Sequence, residues 1–187
     1  SGIFSTIWEL DYEVIDMIPQ RYVYPMNGFN PLIYMYGKAL NQTSPIDPQS
    51  VVVEYAQQQL GLSADEGKRL YNLLIIPQVR FPQARPRADH LGRRKSYDEI
   101  IGELNMAVAE LRKMKPTRNK IDLEHLKLMF DIRLNYVKFK RLESEINHPD
   151  ATIASVSEYA TRIGEIISTE KRLCKRFAQL QKGYLHP

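Results

Sequence analysis

Residues 96–114 read SYDEIIGELNMAVAELRKM, and they decide the class of fold. Ser96 followed three residues later by Glu99 is a capping box, in which each side chain satisfies a backbone N–H that the first helical turn leaves open. Behind it Tyr97, Ile100, Ile101, Leu104, Ala107, Val108, Leu111 and Met114 recur three and four residues apart, and Pro116 stops the run. That period predicts an amphipathic helix with one buried face.

The same grammar continues on both sides. Downstream, a second long helix is predicted after Asn119, with Leu128, Ile132, Tyr136, Phe139, Leu142 and Ile146 inward and Pro149 as the stop. A third runs over about 152–182, with Ile153, Val156, Ala160, Ile163, Ile167, Cys174 and Phe177 inward and Glu170 interrupting the stripe. Tyr159, Ile166, Leu173 and Leu180 flank it. Short links force such neighbours to run antiparallel, so residues 97–187 are expected to form a three-helix up-down-up bundle. Arg133, Lys138, Lys140 and Arg141 read as the solvated face of its middle helix. Upstream, residues 80–96 are a basic connection containing Pro82, Pro86 and Gly92. Before that come a helix opened by the Ser63–Glu66 capping box and a helix opened by Asp47-Pro48 and ended at Gly61. A further helix is opened by Asn30-Pro31.

Only the amino end departs from this. Gly2, Ile3, Phe4, Ser5, Thr6, Ile7, Trp8, Glu9 and Leu10 form an apolar, β-branched and aromatic run that reads as a buried strand. A lone strand cannot pair its own backbone, so its partners are expected on sequence that is not in this chain. The fold expected is therefore mostly α: a single last barrel strand and flanking helices over 1–79, the connection over 80–96, and the bundle over 97–187.

Composition narrows the functions. The 187 residues carry 26 Lys and Arg against 22 Asp and Glu, a formal charge of +4. Much of that sits between Arg80 and Lys95 without stacking aromatics beside it, so nucleic acid is not the expected partner. No apolar run is long enough to cross a membrane. The four histidines are scattered without ligand spacing, so neither a metal nor another cofactor is expected. The single cysteine, Cys174, excludes an internal disulfide, and its apolar helical position predicts a buried thiol.

The site candidates are Trp8 and Glu9, as substrate-binding residues. An indole covers the apolar face of a pyranose, and a carboxylate at a strand's carboxyl end accepts hydrogen bonds from its hydroxyls. In barrel enzymes, active sites lie at those strand ends. The competing reading is a core tryptophan beside a glutamate that starts a helix. Asp11, Glu13 and Asp16 read as an acidic first helical turn rather than as catalytic carboxylates. Tyr22, Tyr24, Tyr34 and Tyr36 would either line a carbohydrate cleft or pack on a barrel flank.

The order of these features resembles the carboxyl-terminal end of a TIM-barrel glycoside hydrolase, and most nearly the β-N-acetylhexosaminidase group with an appended helical domain. The resemblance covers about residues 1–75. It rests on a strand ending in Trp8-Glu9, on an aromatic loop, and on the stretch from Ile46-Asp47-Pro48 through Tyr55-Ala56 to Leu60-Gly61-Leu62. It implies that Trp8 walls a sugar pocket and that Glu9 binds hydroxyls of the terminal sugar. It also implies that the catalytic carboxylates lie on earlier strands, so no residue here is expected to be catalytic. Carbohydrate would be the partner of the parent barrel, with the rest of the parent chain or a second copy covering the amino-terminal strand. A secreted or periplasmic location would follow. The alternative is a free-standing helical protein-interaction module without enzymatic activity, which would bury Ile3, Phe4, Ile7 and Trp8 in its own core.

Overall fold

Every secondary-structure element among the described residues is a helix. The computed structural model describes residues 28, 30–76, 95–148 and 156–182. The helices are α1 (Asn30–Leu40), α2 (Pro48–Tyr55), α3 (Ala64–Leu74), α4 (Tyr97–Lys113), α5 (Lys120–Ile146) and α6 (Val156–Leu180). The strand expected over residues 2–10 lies outside the described residues, as does most of the 80–96 connection.

The helix starts follow from local chemistry. Asp47 accepts from the backbone N–H of Gln49 and Ser50, with Pro48 in the first turn. Ser63 and Ser96 both close complete capping boxes, with Glu66 and Glu99. Each such cap contributes about 1 kcal/mol. The end of α2 is less ordinary. Residues Ala56–Leu60 widen into a π turn before Gly61 adopts a left-handed conformation with φ 66°. The carbonyls at this end are satisfied from far along the chain. The N–H groups of Thr117 and Arg118 both donate to the Leu60 carbonyl, at 3.0 and 3.1 Å. Arg118 Nη1 reaches the Gln58 carbonyl at 3.2 Å, and Asn119 Nδ2 reaches the Gln59 carbonyl at 2.9 Å. The link between α4 and α5 thus caps the carboxyl end of α2, where an arginine also suits the helix dipole.

That docking joins the two halves of the chain. Val52, Tyr55, Ala56, Leu60 and Leu70 from one side of the connection share a core with Ile100, Leu104, Leu111, Leu123 and Phe130 from the other. Each fully buried leucine contributes about 1.5–3 kcal/mol relative to exposure. Helices α2 and α3 approach closely at Gly67, where an added Cβ would stand 3.0 Å from Val53 Cα.

Helices α4, α5 and α6 run antiparallel in succession. Arg141 meets Asp98 and Arg112 meets Asp131 across α4 and α5. Arg162 meets Glu145 and Arg176 meets Glu124 across α5 and α6. The three do not close around a common core, because no described residue of α6 joins the core and only Leu173 of that helix is fully buried. The stripe expected to face inward faces out: Val156, Ile163 and Ile167 are 58, 36 and 48% exposed. The edge that docks on α5 is instead the neighbouring row Tyr159, Arg162, Ile166, Thr169, Leu173 and Arg176. Cys174 follows the outward stripe and is exposed rather than buried. On α5, Phe139 is exposed as well. Arg133, read from sequence as solvated, turns inward. Its Nη2 donates to the Ile76 carbonyl at 2.8 Å, its guanidinium lies over the Phe130 ring, and burial pushes its pKa down to about 10.

Candidate functional site

Because α6 leans on α5 and stands away from α4, a cleft of about 560 Å³ opens between the three helices. Its floor is one face of α5: Asp131, Leu134, Asn135 and Lys138, at the i, i+3, i+4, i+7 positions that share a face. Asn105, Val108, Ala109 and Arg112 repeat that spacing along α4 and form one wall. Ile166, Thr169, Arg172, Leu173 and Arg176, with Glu165, form the α6 wall.

The cleft is held open by polar ties along its floor. Asp131 accepts from Arg112 Nη2 at 3.2 Å and from Arg176 Nη1 at 2.8 Å, so one mostly buried carboxylate links all three helices. The other Arg176 amino group donates to Glu124 at 2.8 Å, and Lys127 donates to the same carboxylate. Burial would push the Glu124 carboxyl up, but the hydrogen bonds from Lys127 and Arg176 outweigh it and hold the group below its ordinary range. Asn135 is buried, and its Nδ2 donates to Glu170 at 3.0 Å and to the Ile166 carbonyl at 3.3 Å. Two cations complete the rim. Lys138 and Arg172 are exposed and pair with no carboxylate among the described residues. The lining is thus apolar patches, amides and four cations against the carboxylates of Asp131 and Glu165, which suits binding.

A second polar cluster joins α1 to α2. The Tyr34 hydroxyl lies 2.9 Å from Glu54 Oε1, and Lys38 Nζ lies 2.6 Å from the same oxygen. Lys38 holds the Glu54 carboxyl below its ordinary value, and burial, then Glu54, push the Tyr34 phenol up. The Tyr34 ring meets Tyr55 edge-on at 5.5 Å. Tyr55 in turn packs its hydroxyl 3.5 Å from Asp122, which also accepts from Asn30 at 2.9 Å. Tyr34 is therefore part of a helix contact, whereas Tyr36 is exposed.

His125 is the third feature. It is buried on α5, and among the described residues its ring nitrogens meet no well-aligned hydrogen-bond partner, the Leu180 backbone lying within reach at poor geometry. Burial pushes its pKa below the ordinary value, although the Leu180 carbonyl and the Asp122 carboxylate lie close enough to oppose the shift.

Trp8 and Glu9, the substrate-binding pair expected from sequence, lie outside the described residues, as do Tyr22 and Tyr24. Among the described residues no set of three His, Cys, Asp or Glu side chains converges to hold a metal. Nor, among those residues, is any helix long and apolar enough to cross a membrane. The sequence reading did not single out the cleft, because the mixed charge, apolar and amide character of Asp131, Leu134, Asn135 and Lys138 reads as a solvated face. No protein-family model, no curated protein and no solved structure matches this chain. The glycoside hydrolase resemblance therefore gains no support from them.

Proposed function

We propose that this chain is a helical protein-interaction module and that its binding surface is the cleft between α4, α5 and α6. The observation that carries this reading is the placement of α6. A 25-residue helix buries a single side chain fully and is tied to α5 largely through Asn135, Arg162 and Arg176. Such ties orient a helix without closing an apolar core around it. Val108 and Leu173, both buried, line the base of the cleft from α4 and α6, and Leu134 and Ile166 stay half-buried along it. Helical grooves with apolar walls commonly receive a partner's side chains.

A photo-crosslinking residue in place of Thr169, inside the cleft, tests the proposal against one in place of Gly164, on the outward side of α6. Expressed in cells of its source, the chain should form a discrete protein adduct from position 169 and not from 164. Adducts from 164 alone, or none from 169, would overturn it.

A further inference from the structure

From the charge and spacing of the cleft we infer that its occupant is a short, acidic, amphipathic helix of another protein. The inference rests on the interaction reading and goes further by naming the partner's chemistry. Four cations, Arg112, Lys138, Arg172 and Arg176, line the cleft against two carboxylates, Asp131 and Glu165. Asp131 is already shared between Arg112 and Arg176. Lys138 and Arg172 remain at the rim with their charge unpaired among the described residues, two cations against the one exposed lining carboxylate, Glu165. An acidic ligand gains from both, because complementary potentials steer encounter and set register. A basic ligand would meet like charge at each.

The shape selects a helix. Three helices each present a face at three- and four-residue spacing to one vacancy, the place a fourth helix fills in a bundle. The floor from Asp131 to Lys138 is about 10 Å long and the α6 wall from Glu165 to Arg176 about 16 Å, at 1.5 Å per residue. That length accepts two to three helical turns. Leu134 and Ile166, the half-buried apolar lining, would receive the partner's apolar stripe at i, i+3/i+4 and i+7, with its Glu or Asp side chains reaching Lys138 and Arg172.

The test is a displayed library of 14-residue helices. Leucine is fixed at i, i+3, i+4 and i+7, and the remaining positions are randomised among Glu, Lys, Gln and Ala. It is selected on the intact chain and, in parallel, on Thr169→Trp and Ala109→Trp, which plug the cleft from opposite walls. Far-UV circular dichroism verifies that at least one plugged variant keeps its helices. The expected result is enrichment of peptides rich in Glu, lost on the plugged chains. Their affinity should weaken at least tenfold in the Lys138→Glu, Arg172→Glu double variant and fall with added salt. Neutral or basic peptides whose binding is lost on the plugged chains would overturn the acidic assignment but leave the cleft as the interaction site. Enrichment indifferent to the plugs would overturn both. No enrichment would overturn the helical-partner inference, and the crosslinking experiment would then judge the cleft alone.

Discussion

His125 should make this protein lose stability in mildly acidic solution, before its carboxylates begin to protonate. The imidazole is 1% exposed, and burial holds its folded pKa below the ordinary 6.5. In the unfolded chain it regains that ordinary value. Below pH 6.5 the unfolded state therefore binds a proton that the folded state refuses. Stability must fall with pH until the folded state also protonates. Each pH unit across that window costs at most about 1.4 kcal/mol. With a urea dependence of about 2 kcal/mol/M, the midpoint should fall between pH 7.5 and 5.0, by no more than about 0.7 M for each pH unit below 6.5. Glu66, Glu110, Glu124 and Glu145 have depressed folded pKa values and contribute stability above the ordinary 4.5. Their loss begins near that value, below the histidine window. Replacing His125 with Leu tests the assignment. The change gives up at most a poorly aligned contact with the Leu180 backbone and removes a buried polar ring, so His125→Leu should be near neutral at pH 7.5. It should also flatten the urea midpoint between pH 7.5 and 5.0. A variant that loses as much stability as the parent over that range would refute the reasoning.

Three further outcomes are expected. Gly67→Ala should destabilise by about 1 kcal/mol, because crowding against the Val53 backbone exceeds the helix-propensity gain; Gly164→Ala, with open space around its Cβ, should stabilise by about 0.5–1 kcal/mol. Thermal denaturation that ranks Gly67→Ala as the more stable variant would contradict the close α2–α3 approach. Asn119 holds φ 39° while its side chain bonds the Gln59 carbonyl, so Asn119→Ala should cost about 2 kcal/mol and Asn119→Gly, which tolerates the backbone, only about 1. The reverse order by urea denaturation would sink that account. Asn135→Ala should cost about 1–3 kcal/mol and loosen α6 selectively, seen as faster hydrogen exchange over residues 156–180 while α4 amides keep their protection. Uniform acceleration in both helices would show that Asn135 is not a tie specific to α6.

What could be read from this sequence was local. The caps at Asp47, Ser63 and Ser96 and the left-handed stop at Gly61 need only residues within one turn of each other, and all four stand as read. The π turn over Ala56–Leu60 was not legible, because its carbonyls are satisfied by Thr117, Arg118 and Asn119, almost sixty residues away. The apolar residues of α6 gave a clear helix and the wrong face. Val156, Ala160, Ile163 and Ile167 recur as regularly as a core stripe, yet the polar contacts of Arg162, Asn135 and Arg176 turn the helix by about one residue, or 100°. Periodicity reports that a stripe exists and is silent on what it meets. The same blindness hid the cleft. Asp131, Leu134, Asn135 and Lys138 alternate charge, apolar and amide, so the face reads as solvated by any hydropathy measure. A core needs uniform apolarity, whereas a recognition surface needs apolar contact and uncompensated charge side by side. On α5 that mixture is what the proposed binding face would show in sequence.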